Sequence, residues 1–246
     1  MLPLPHGSST RVLGIFAHPD DESLFAGATL AAYVSMGCAV RLVTFSGGEA
    51  GGPRRMEKYA AACLALGLEV GSRVGSWEDL GPRVAPGSLA HAPLSHVVEA
   101  VKDVLTASPA DVVLTVGPDG VTNHPDHVRM HEAVAAALPP TVIGLGACVR
   151  SWAYEAGTSR LASLAPDRPI GDGGIHGVTG DVLAIESSDA SAAAKRAALD
   201  CYHDGLGSAP LEQLVSQLVG GRIGDGSVLR AIYEAEGLHV ETFRRL

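Results

Sequence analysis

With 246 residues the chain is long enough to bury a substantial core, and an aromatic content of only 4% means that aliphatic side chains must build that core. A formal net charge of −9 argues against nucleic-acid binding, which usually depends on a basic surface patch. No apolar run approaches the ~20 residues of a membrane span, and the first residues lack the basic and apolar regions of a signal peptide. We therefore expect a cytoplasmic protein without nucleic-acid or membrane partners, for which homo-oligomerisation stays open.

The first predicted elements are a strand and a helix that enclose a charged turn. An apolar run over residues 11–16 predicts a buried strand, and residues 23–34 predict a helix that ends near Gly37. The turn between them carries His18, Pro19, Asp20, Asp21 and Glu22. Because ligands of open α/β sheets bind at the carboxyl ends of the strands, this turn is a candidate active site.

A glycine-rich loop follows the second predicted strand. Residues 39–45 predict that strand, residues 46–52 form the loop, and a helix through residues 60–66 comes next. The loop lacks the Gly-Lys-Ser/Thr sequence of a phosphate-binding loop. Two interpretations stay open for it: a flexible connection, or a site wall that lets a substrate approach the backbone closely.

The third predicted unit repeats the arrangement of the first. A helix over residues 94–107 precedes an apolar strand over 111–116, a polar turn, and a helix over 125–138. The sequence His-Pro-Asp lies at this turn, over residues 124–126, as it does at the first turn. The alternation of strands and helices predicts an α/β fold, with a Rossmann-like, mostly parallel sheet and helices on both faces.

The C-terminal third has a less regular sequence pattern. Residues 147–154 and 180–185 predict strands, residues 155–177 predict a long loop, and residues 188–202 predict a helix with a serine N-cap. The sequence shows no repeat and no obvious linker. We therefore expect a single domain over residues 1–246.

The two turns together contain a set of metal ligands. A catalytic zinc ion usually takes three protein ligands and leaves one position for water. His18, Asp21 and His127 supply such a set. Two imidazoles and a carboxylate suit Zn²⁺ and are tolerable for Fe²⁺ or Co²⁺. The sequence therefore predicts one divalent metal, in the first place Zn²⁺.

The remaining polar residues of the turns are those that hydrolysis needs. Asp20 could deprotonate water, His124 could carry a proton and face negative charge on a substrate oxygen, and Asp126 could orient an imidazole. Either cluster taken singly is as well explained by helix capping, since Asp is common at strand–helix turns. Their occurrence at equivalent positions of two units favours catalysis. Glu22 either supports the site or favours the helix N-terminus electrostatically.

These residues also carry a family resemblance. The string Ala-His-Pro-Asp-Asp-Glu over residues 17–22, followed by His-Pro-Asp-His over residues 124–127, resembles the PIG-L/LmbE family of zinc-dependent N-acetylglucosamine deacetylases. Members of that family include the deacetylases of mycothiol and bacillithiol synthesis. The resemblance implies the same metal ligands, with Asp20 as the general base and His124 as the stabiliser of the transition state. One departure is that His203 lacks the Ser-Gln of the family's His-x-Ser-Gln.

The resemblance and the ligand chemistry together predict a hydrolase that removes the acetyl group from a small N-acetylglucosamine-type amino sugar or its conjugate. Two alternatives are a metal-dependent amidase acting on another N-acylated amine, and a non-catalytic metal- or sugar-binding protein. For the sugar, Glu49, Arg55 and Asp79 are the nearest polar candidates on loops at the same sheet edge. Arg55 could instead be a solvated helix charge, and Asp79 a turn former.

Overall fold

The computed structural model describes residues 7–171, 173–217 and 221–246. Within these ranges, seven strands form one sheet in the order β3-β2-β1-β4-β5-β7-β6. The strands are β1 (Arg11–Phe16), β2 (Ala39–Thr44), β3 (Ser72–Arg73), β4 (Val112–Val116), β5 (Ile143–Cys148), β6 (Leu183–Glu186) and β7 (Val240–Arg245). Strands β1 to β5 are parallel, whereas β7 runs antiparallel to both of its neighbours.

The described residues also form eight α-helices that flank the sheet. They are α1 (Asp21–Ser35), α2 (Arg55–Ala65), α3 (Leu94–Ala107), α4 (Pro125–Ala137), α5 (Ser151–Leu164), α6 (Asp189–Tyr202), α7 (Leu211–Gln217) and α8 (Asp225–Glu236), and a short 3₁₀ turn covers Glu49–Gly51. In the described parts of the chain, none of the helices combines the length and the apolar character that crossing a membrane requires.

The alternation of side chains along the strands divides the core between two faces of the sheet. In β1, Val12 and Phe16 join a hydrophobic cluster with residues of α1, α2, α5, α6 and α8. Leu13 and Ile15 join a second cluster with residues of α3 and α4. Because successive side chains of a strand point to opposite faces, a continuously apolar strand serves both clusters. The predicted α/β class, with a mostly parallel sheet and helices on both faces, is confirmed.

The strand order reverses between β1 and β4. After β1 the chain leads through α1 to β2 on one side, and after β4 it leads through α4 to β5 on the other. A crevice forms outside the carboxyl ends of strands at such a reversal. Strands β1 and β4 pair directly, with Val12 opposite Val112 and Gly14 opposite Leu114. The two turns that carry His-Pro-Asp therefore meet at one crevice.

The predictions of a strand over residues 147–154 and a loop over 155–177 are wrong, because α5 occupies Ser151–Leu164. The glycine in this segment suggests a loop, yet Gly157 lies where α5 crosses α8. A Cβ atom at Gly157 would lie 2.8 Å from the Cα atom of Ile232. The small residue allows the two helix backbones to approach, so its role is set by packing and not by the local chain conformation.

Candidate active site

The turns after β1 and β4 bring the predicted metal ligands together. The Nε2 atom of His127 lies 2.9 Å from Nδ1 of His18 and 3.1 Å from a carboxylate oxygen of Asp21. The second oxygen of Asp21 accepts a hydrogen bond of 3.0 Å from the backbone N–H of His18, which holds the carboxylate against the turn. All three side chains are buried. The ligand atoms of the predicted set therefore meet around His127 Nε2.

The outer nitrogens of the two imidazoles are bonded to other groups. Nδ1 of His127 lies 2.9 Å from the carbonyl oxygen of Gly120, and a carbonyl only accepts, so this nitrogen carries the hydrogen. Nε2 of His18 lies 3.2 Å from the carboxylate of Asp126 and 3.7 Å from that of Asp79. With both rings neutral, the inner nitrogens present lone pairs to each other. Carbonyl and carboxylate partners of this kind orient histidine ligands around metals.

The donor set fits a metal ion. Lone pairs that face one another at about 3 Å repel unless a cation lies between them. Donor atoms around a tetrahedral ion with bonds of about 2.05 Å are roughly 3.3 Å apart, close to these spacings. Within the described residues, two groups of three donors lie within 4.8 Å of one another: His18, His124 and His127, and also His18, Asp79 and Asp126. The predicted set of His18, Asp21 and His127 is not among these groups. Asp21 adjoins the first group through His127.

The charges around His18 favour a bound cation. Burial lowers the pKa of its imidazole, but the hydrogen bond with Asp126 and the charges of Asp21 and Asp79 outweigh burial and raise the pKa to about 9. Burial would raise the pKa of Asp21, yet His127 and His18 lower it to about 2. A carboxylate that stays ionised beside two imidazoles suits a divalent cation.

His124 lies beside the donors with a defined tautomer. Its ring stands edge-on to the ring of His18, with the centroids 4.7 Å apart. Its Nδ1 atom accepts a hydrogen bond of 3.2 Å from the backbone N–H of Asp126, so the hydrogen of the neutral ring lies on Nε2. Burial and the charges of His18 and His127 lower the pKa of His124 to about 4. His124 is therefore a neutral hydrogen-bond donor.

Asp20 has an unusual backbone conformation at the N-terminus of α1. Its φ of 116° lies in a range that residues other than glycine rarely adopt. Its carboxylate pairs with the guanidinium of Arg55, whose Nε also donates to the carbonyl of Pro19 at 2.9 Å. Burial raises the pKa of Asp20 to about 6 against the attraction of Arg55, and the charge of Asp21 adds to the rise. A carboxylate with a raised pKa is a better proton acceptor near neutral pH.

A cavity of about 420 Å³ borders these groups and falls in the size range of small-molecule sites. Arg55 and Asp79 line the cavity together with the histidines and Asp20. Glu49 is not among the lining residues, because its carboxylate accepts the backbone N–H of Asp79 at 2.8 Å and pairs with Arg73 at 3.0 Å. Two of the three predicted sugar-binding residues thus reach the cavity, and the third holds the loop that carries Asp79.

Sequence reasoning missed Tyr202, the last residue of α6, which also lines the cavity. Its hydroxyl donates to the carboxylate of Glu22 at 2.8 Å, and its ring centroid lies 4.7 Å from the guanidinium carbon of Arg55. No local pattern marks Tyr202, since its contact with Glu22 spans 180 positions. The neighbouring His203 lines the cavity as well. It is the histidine that remains of the family's His-x-Ser-Gln motif, and it was the nearest sequence signal for Tyr202.

Comparison with known proteins gives a match to a family model and relatives that align with different shares of this chain. A 1D-myo-inositol 2-acetamido-2-deoxy-alpha-D-glucopyranoside deacetylase of Thermobispora bispora is 35% identical over an alignment of 148 positions that covers 49% of this chain and 49% of the relative. The protein of the same name from Streptomyces griseus is 32% identical over 241 residues, covering 78% of this chain and 74% of the relative. The chain spans about half the length of several curated relatives that it matches.

Solved structures share the fold. The crystal structure of the zinc inhibited form of teicoplanin deacetylase Orf2 has a TM-score of 0.63 to this chain, covers 96% of it and 99% of its own chain, and is 17% identical in sequence. Similarity at that level of identity shows the fold alone. The model of the family described as PIG-L, GlcNAc-PI de-N-acetylase, matches residues 13–138, about half of the chain and both His-Pro-Asp turns. This chain therefore belongs to the PIG-L family.

Proposed function

We propose that this protein is a metal-dependent hydrolase that removes the N-acetyl group from an N-acetylglucosamine-type amino sugar or its conjugate, by cleaving a linear amide C–N bond. The observation that carries the proposal is that the metal donors, the carboxylate of Asp20 and the Nε2–H of His124 all border one cavity. The substrate class rests on relatives named as deacetylases of a 2-acetamido-2-deoxyglucopyranoside.

His18, Asp21 and His127 would hold the metal, for which we propose Zn²⁺; the same donors suit Fe²⁺ and Co²⁺. When bound, the metal would polarise the amide carbonyl and make a water molecule acidic enough to attack near neutral pH. Support comes from the donor spacings of 2.9 and 3.1 Å and from the carbonyl and carboxylate partners that orient both imidazoles.

The other residues move protons and stabilise charge. Asp20 accepts a proton from the attacking water, and Arg55 keeps its carboxylate at the cavity. As negative charge develops on the amide oxygen, the Nε2–H of His124 donates a hydrogen bond to that oxygen. Asp20 then gives its proton to the leaving nitrogen as the C–N bond breaks. The acetic acid formed gives its proton to the amine, so water and the N-acetyl sugar become acetate and the protonated amino sugar, and every atom and proton is accounted for.

The sugar would be held by Arg55 and Asp79, which line the cavity from the loops after β2 and β3. Glu49 would act indirectly, because it holds the backbone of Asp79 and contacts Arg73. We expect Asp79→Ala to raise KM with metal content unchanged, and Glu49→Ala to have a smaller effect in the same direction. Unchanged KM in both variants would move the sugar site elsewhere.

Acetate release from N-acetylglucosamine and its α-glycosides, measured with and without a chelator, tests the proposal. We expect chelator-sensitive release from the parent protein and a severe loss in Asp20→Asn at full metal content. Asp103→Asn, an exposed aspartate on α3, is the matched control and should leave turnover unchanged. Full activity of Asp20→Asn would contradict the assignment of the base.

Metal analysis of single variants tests the ligand set. His18→Ala, Asp21→Ala and His127→Ala should each lose metal, whereas His124→Ala should keep it and lose about 10²–10³ in rate. Loss of metal from His124→Ala but not from Asp21→Ala would make His124 the third ligand, a choice that the spacing of the three histidines makes worth testing.

The same assay separates the alternatives. Chelator-sensitive release from other N-acylated amines, without release from amino sugars, would favour an amidase of different specificity. Absence of release from every acylated amine, in a protein that still binds the metal or a sugar, would favour a non-catalytic binding protein.

A further inference from the structure

The backbone of Asp20 needs support from outside its own turn. Among the described residues other than glycine, Asp20, Val121 and Asn123 have positive φ angles. Asp20, at φ 116° and ψ −24°, lies furthest from the left-handed helical region near φ 57°. Such conformations persist only where the surrounding structure holds them, and they concentrate at functional sites.

The carboxylate of Glu22 supplies a direct contact to that backbone. One of its oxygens accepts the backbone N–H of Asp20 at 3.0 Å. The other oxygen accepts the hydroxyls of Ser23 at 2.6 Å and Tyr202 at 2.8 Å. Glu22 is only 1% exposed, so water does not compete for these hydrogen bonds. The orientation of the Glu22 carboxylate is therefore fixed by groups on two helices, α1 and α6.

Tyr202 links this contact to the side chain of Asp20. The same tyrosine whose hydroxyl binds Glu22 places its ring against the guanidinium of Arg55, 4.7 Å from its central carbon. Arg55 in turn holds the Asp20 carboxylate and the carbonyl of Pro19. Tyr202 thus contacts both groups that hold Asp20, one at its backbone and one at its carboxylate.

A helix-capping contact alone would not require this arrangement. In a capping contact, a carboxylate of the first turn reaches back to the N-cap N–H, which uses a single oxygen. Here the second oxygen is occupied by a hydroxyl from α6, far along the chain. That extra contact ties the position of Asp20 to the packing of α1 against α6, which a simple cap does not do.

We propose that Glu22 and Tyr202 are positioning residues that hold Asp20 in its strained conformation, with its carboxylate directed at the cavity. The proposal rests on the proposed function for its kinetic consequence, because Asp20 is the base of that reaction. Glu22 is not among the residues that line the cavity, and the hydroxyl of Tyr202, a lining residue, is bonded to Glu22. Glu22 acts through the backbone of Asp20, and Tyr202 acts through Glu22 and Arg55.

Four variants test the proposal by kinetics and metal analysis. Glu22→Ala should lower kcat by about 10- to 100-fold, with KM and metal content unchanged, because a buried hydrogen bond from the backbone is lost. Glu22→Gln should recover most of the loss, since its amide oxygen still accepts the Asp20 N–H and both hydroxyls can rotate to accept from its NH₂. Tyr202→Phe, which keeps the ring against Arg55, should lower kcat by a smaller factor, about 3- to 10-fold.

Tyr33→Phe is the matched control. Tyr33 is also a buried tyrosine, on α1, and its hydroxyl has no hydrogen-bond partner, so its removal should leave kcat unchanged. A loss of kcat in Tyr33→Phe equal to that in Tyr202→Phe would reduce the effect to general packing and overturn the proposal. If Glu22→Ala does not fold, Tyr202→Phe and Glu22→Gln carry the test.

Crystal structures of the variants give a readout that does not depend on activity. In Glu22→Ala, and to a lesser degree in Tyr202→Phe, we expect Asp20 to leave φ near 116° and its carboxylate to separate from Arg55. An unchanged Asp20 in both structures would overturn the proposal. A parent protein that releases no acetate would refute the proposed function only, because the position of Asp20 in the variants would still decide the inference.

Discussion

Helix α1 borders two groups of buried charges, one at its middle and one at its N-terminus. At the middle, the carboxylate of Glu241 accepts the backbone N–H groups of Ala28 and Thr29 at 3.1 and 2.8 Å and pairs with Lys195 at 2.7 Å. The ammonium of Lys195 also lies 3.9 Å from the ring centroid of Tyr233. Glu241 is 2% exposed and Lys195 is 0% exposed.

The group at the N-terminus of α1 is equally buried but is not self-sufficient. Two imidazole nitrogens and a carboxylate oxygen face one another at about 3 Å, and Asp20 beside them has a strained backbone. A cavity borders this group. This difference separates structural from functional buried charges: the Lys195–Glu241 pair balances its own charge, whereas the donors around His127 are balanced by a proton on His18 or by a bound metal ion.

The largest expected effect is on stability, from breaking the Lys195–Glu241 pair. Lys195→Met leaves the charge of Glu241 buried without a partner, so it should lower the free energy of unfolding by about 3–5 kcal/mol. Urea unfolding of the metal-free protein measures this. Lys102→Met, which removes an exposed lysine that pairs with Glu99, is the control and should cost about 1 kcal/mol or less.

A double variant sharpens the interpretation of that loss. In Lys195→Met/Glu241→Gln both charges are gone, and the glutamine oxygen still accepts one of the two N–H groups, of Ala28 and Thr29, that the two carboxylate oxygens of Glu241 accept. We expect most of the lost stability to return. A double variant as unstable as Lys195→Met would mean that packing of the lysine chain, and not its charge, stabilises the protein.

The second effect is stabilisation by metal, which should occur only at the N-terminal group. Zn²⁺ at 100 times its dissociation constant should raise the free energy of unfolding by about 2.7 kcal/mol. Thermal unfolding with and without Zn²⁺ measures this rise. Lys195→Met should respond to the metal like the parent protein, whereas His127→Ala should not respond. An equal response in His127→Ala would place the metal elsewhere.

The third effect is a pH dependence of the metal-free protein. Because the folded-state pKa of His18 is raised to about 9, its proton contributes stability below the unfolded value of about 6.5. That contribution is lost as pH rises through about 9 and is of order 1–3 kcal/mol. Metal should remove this dependence by replacing the proton, so its stabilising effect should grow over the same pH range. Denaturant titrations at pH 6 and 9 with and without Zn²⁺ test it, and a flat profile without metal would contradict it.

The smallest effect belongs to an exposed ion pair at the amino ends of β1 and β4, opposite the strand ends that carry the candidate site. Arg11 and Asp111 pair at 2.8 Å with half and two-fifths of their side chains exposed, so Arg11→Ala should change the free energy of unfolding little. The pKa of Asp111 is lowered by its hydrogen bonds with Arg11, so the contribution is present at neutral pH and is lost as acid protonates Asp111. It should also vanish in high salt, whereas the buried pair should not respond. A salt-independent loss of stability as large as that of Lys195→Met would refute the distinction.

Helices α3 and α6 were predictable from sequence because their signals are local. The helix predicted over residues 94–107 is α3, and the predicted helix over 188–202 is α6, with Ser188 as its N-cap. In these segments apolar spacing, caps and breakers agree. Where they conflict, as at Gly157 in α5, prediction fails, because a glycine that serves helix packing has the same sequence signal as one in a loop.

For the candidate site, the chemical groups that are available and the turns on which they lie can be read from the sequence alone. His-Pro-Asp after two apolar strands places imidazoles and carboxylates at the ends of those strands, because parallel strands of a doubly wound sheet end at one edge. This reasoning predicted His18, Asp21 and His127 as metal ligands, and Asp20 and His124 as catalytic groups, without any contact being known.

The contacts that hold those groups in place are visible only in the folded protein. It placed Asp126 against His18, turned Glu49 away from the cavity towards Asp79, and brought Tyr202 to Glu22. Each of these contacts depends on how separate helices and loops pack on the sheet, and side-chain partners at such distances leave no periodic or local trace in the chain. The chemical groups of the site therefore come from short stretches of sequence, whereas its geometry results from the packing of α1, α2 and α6.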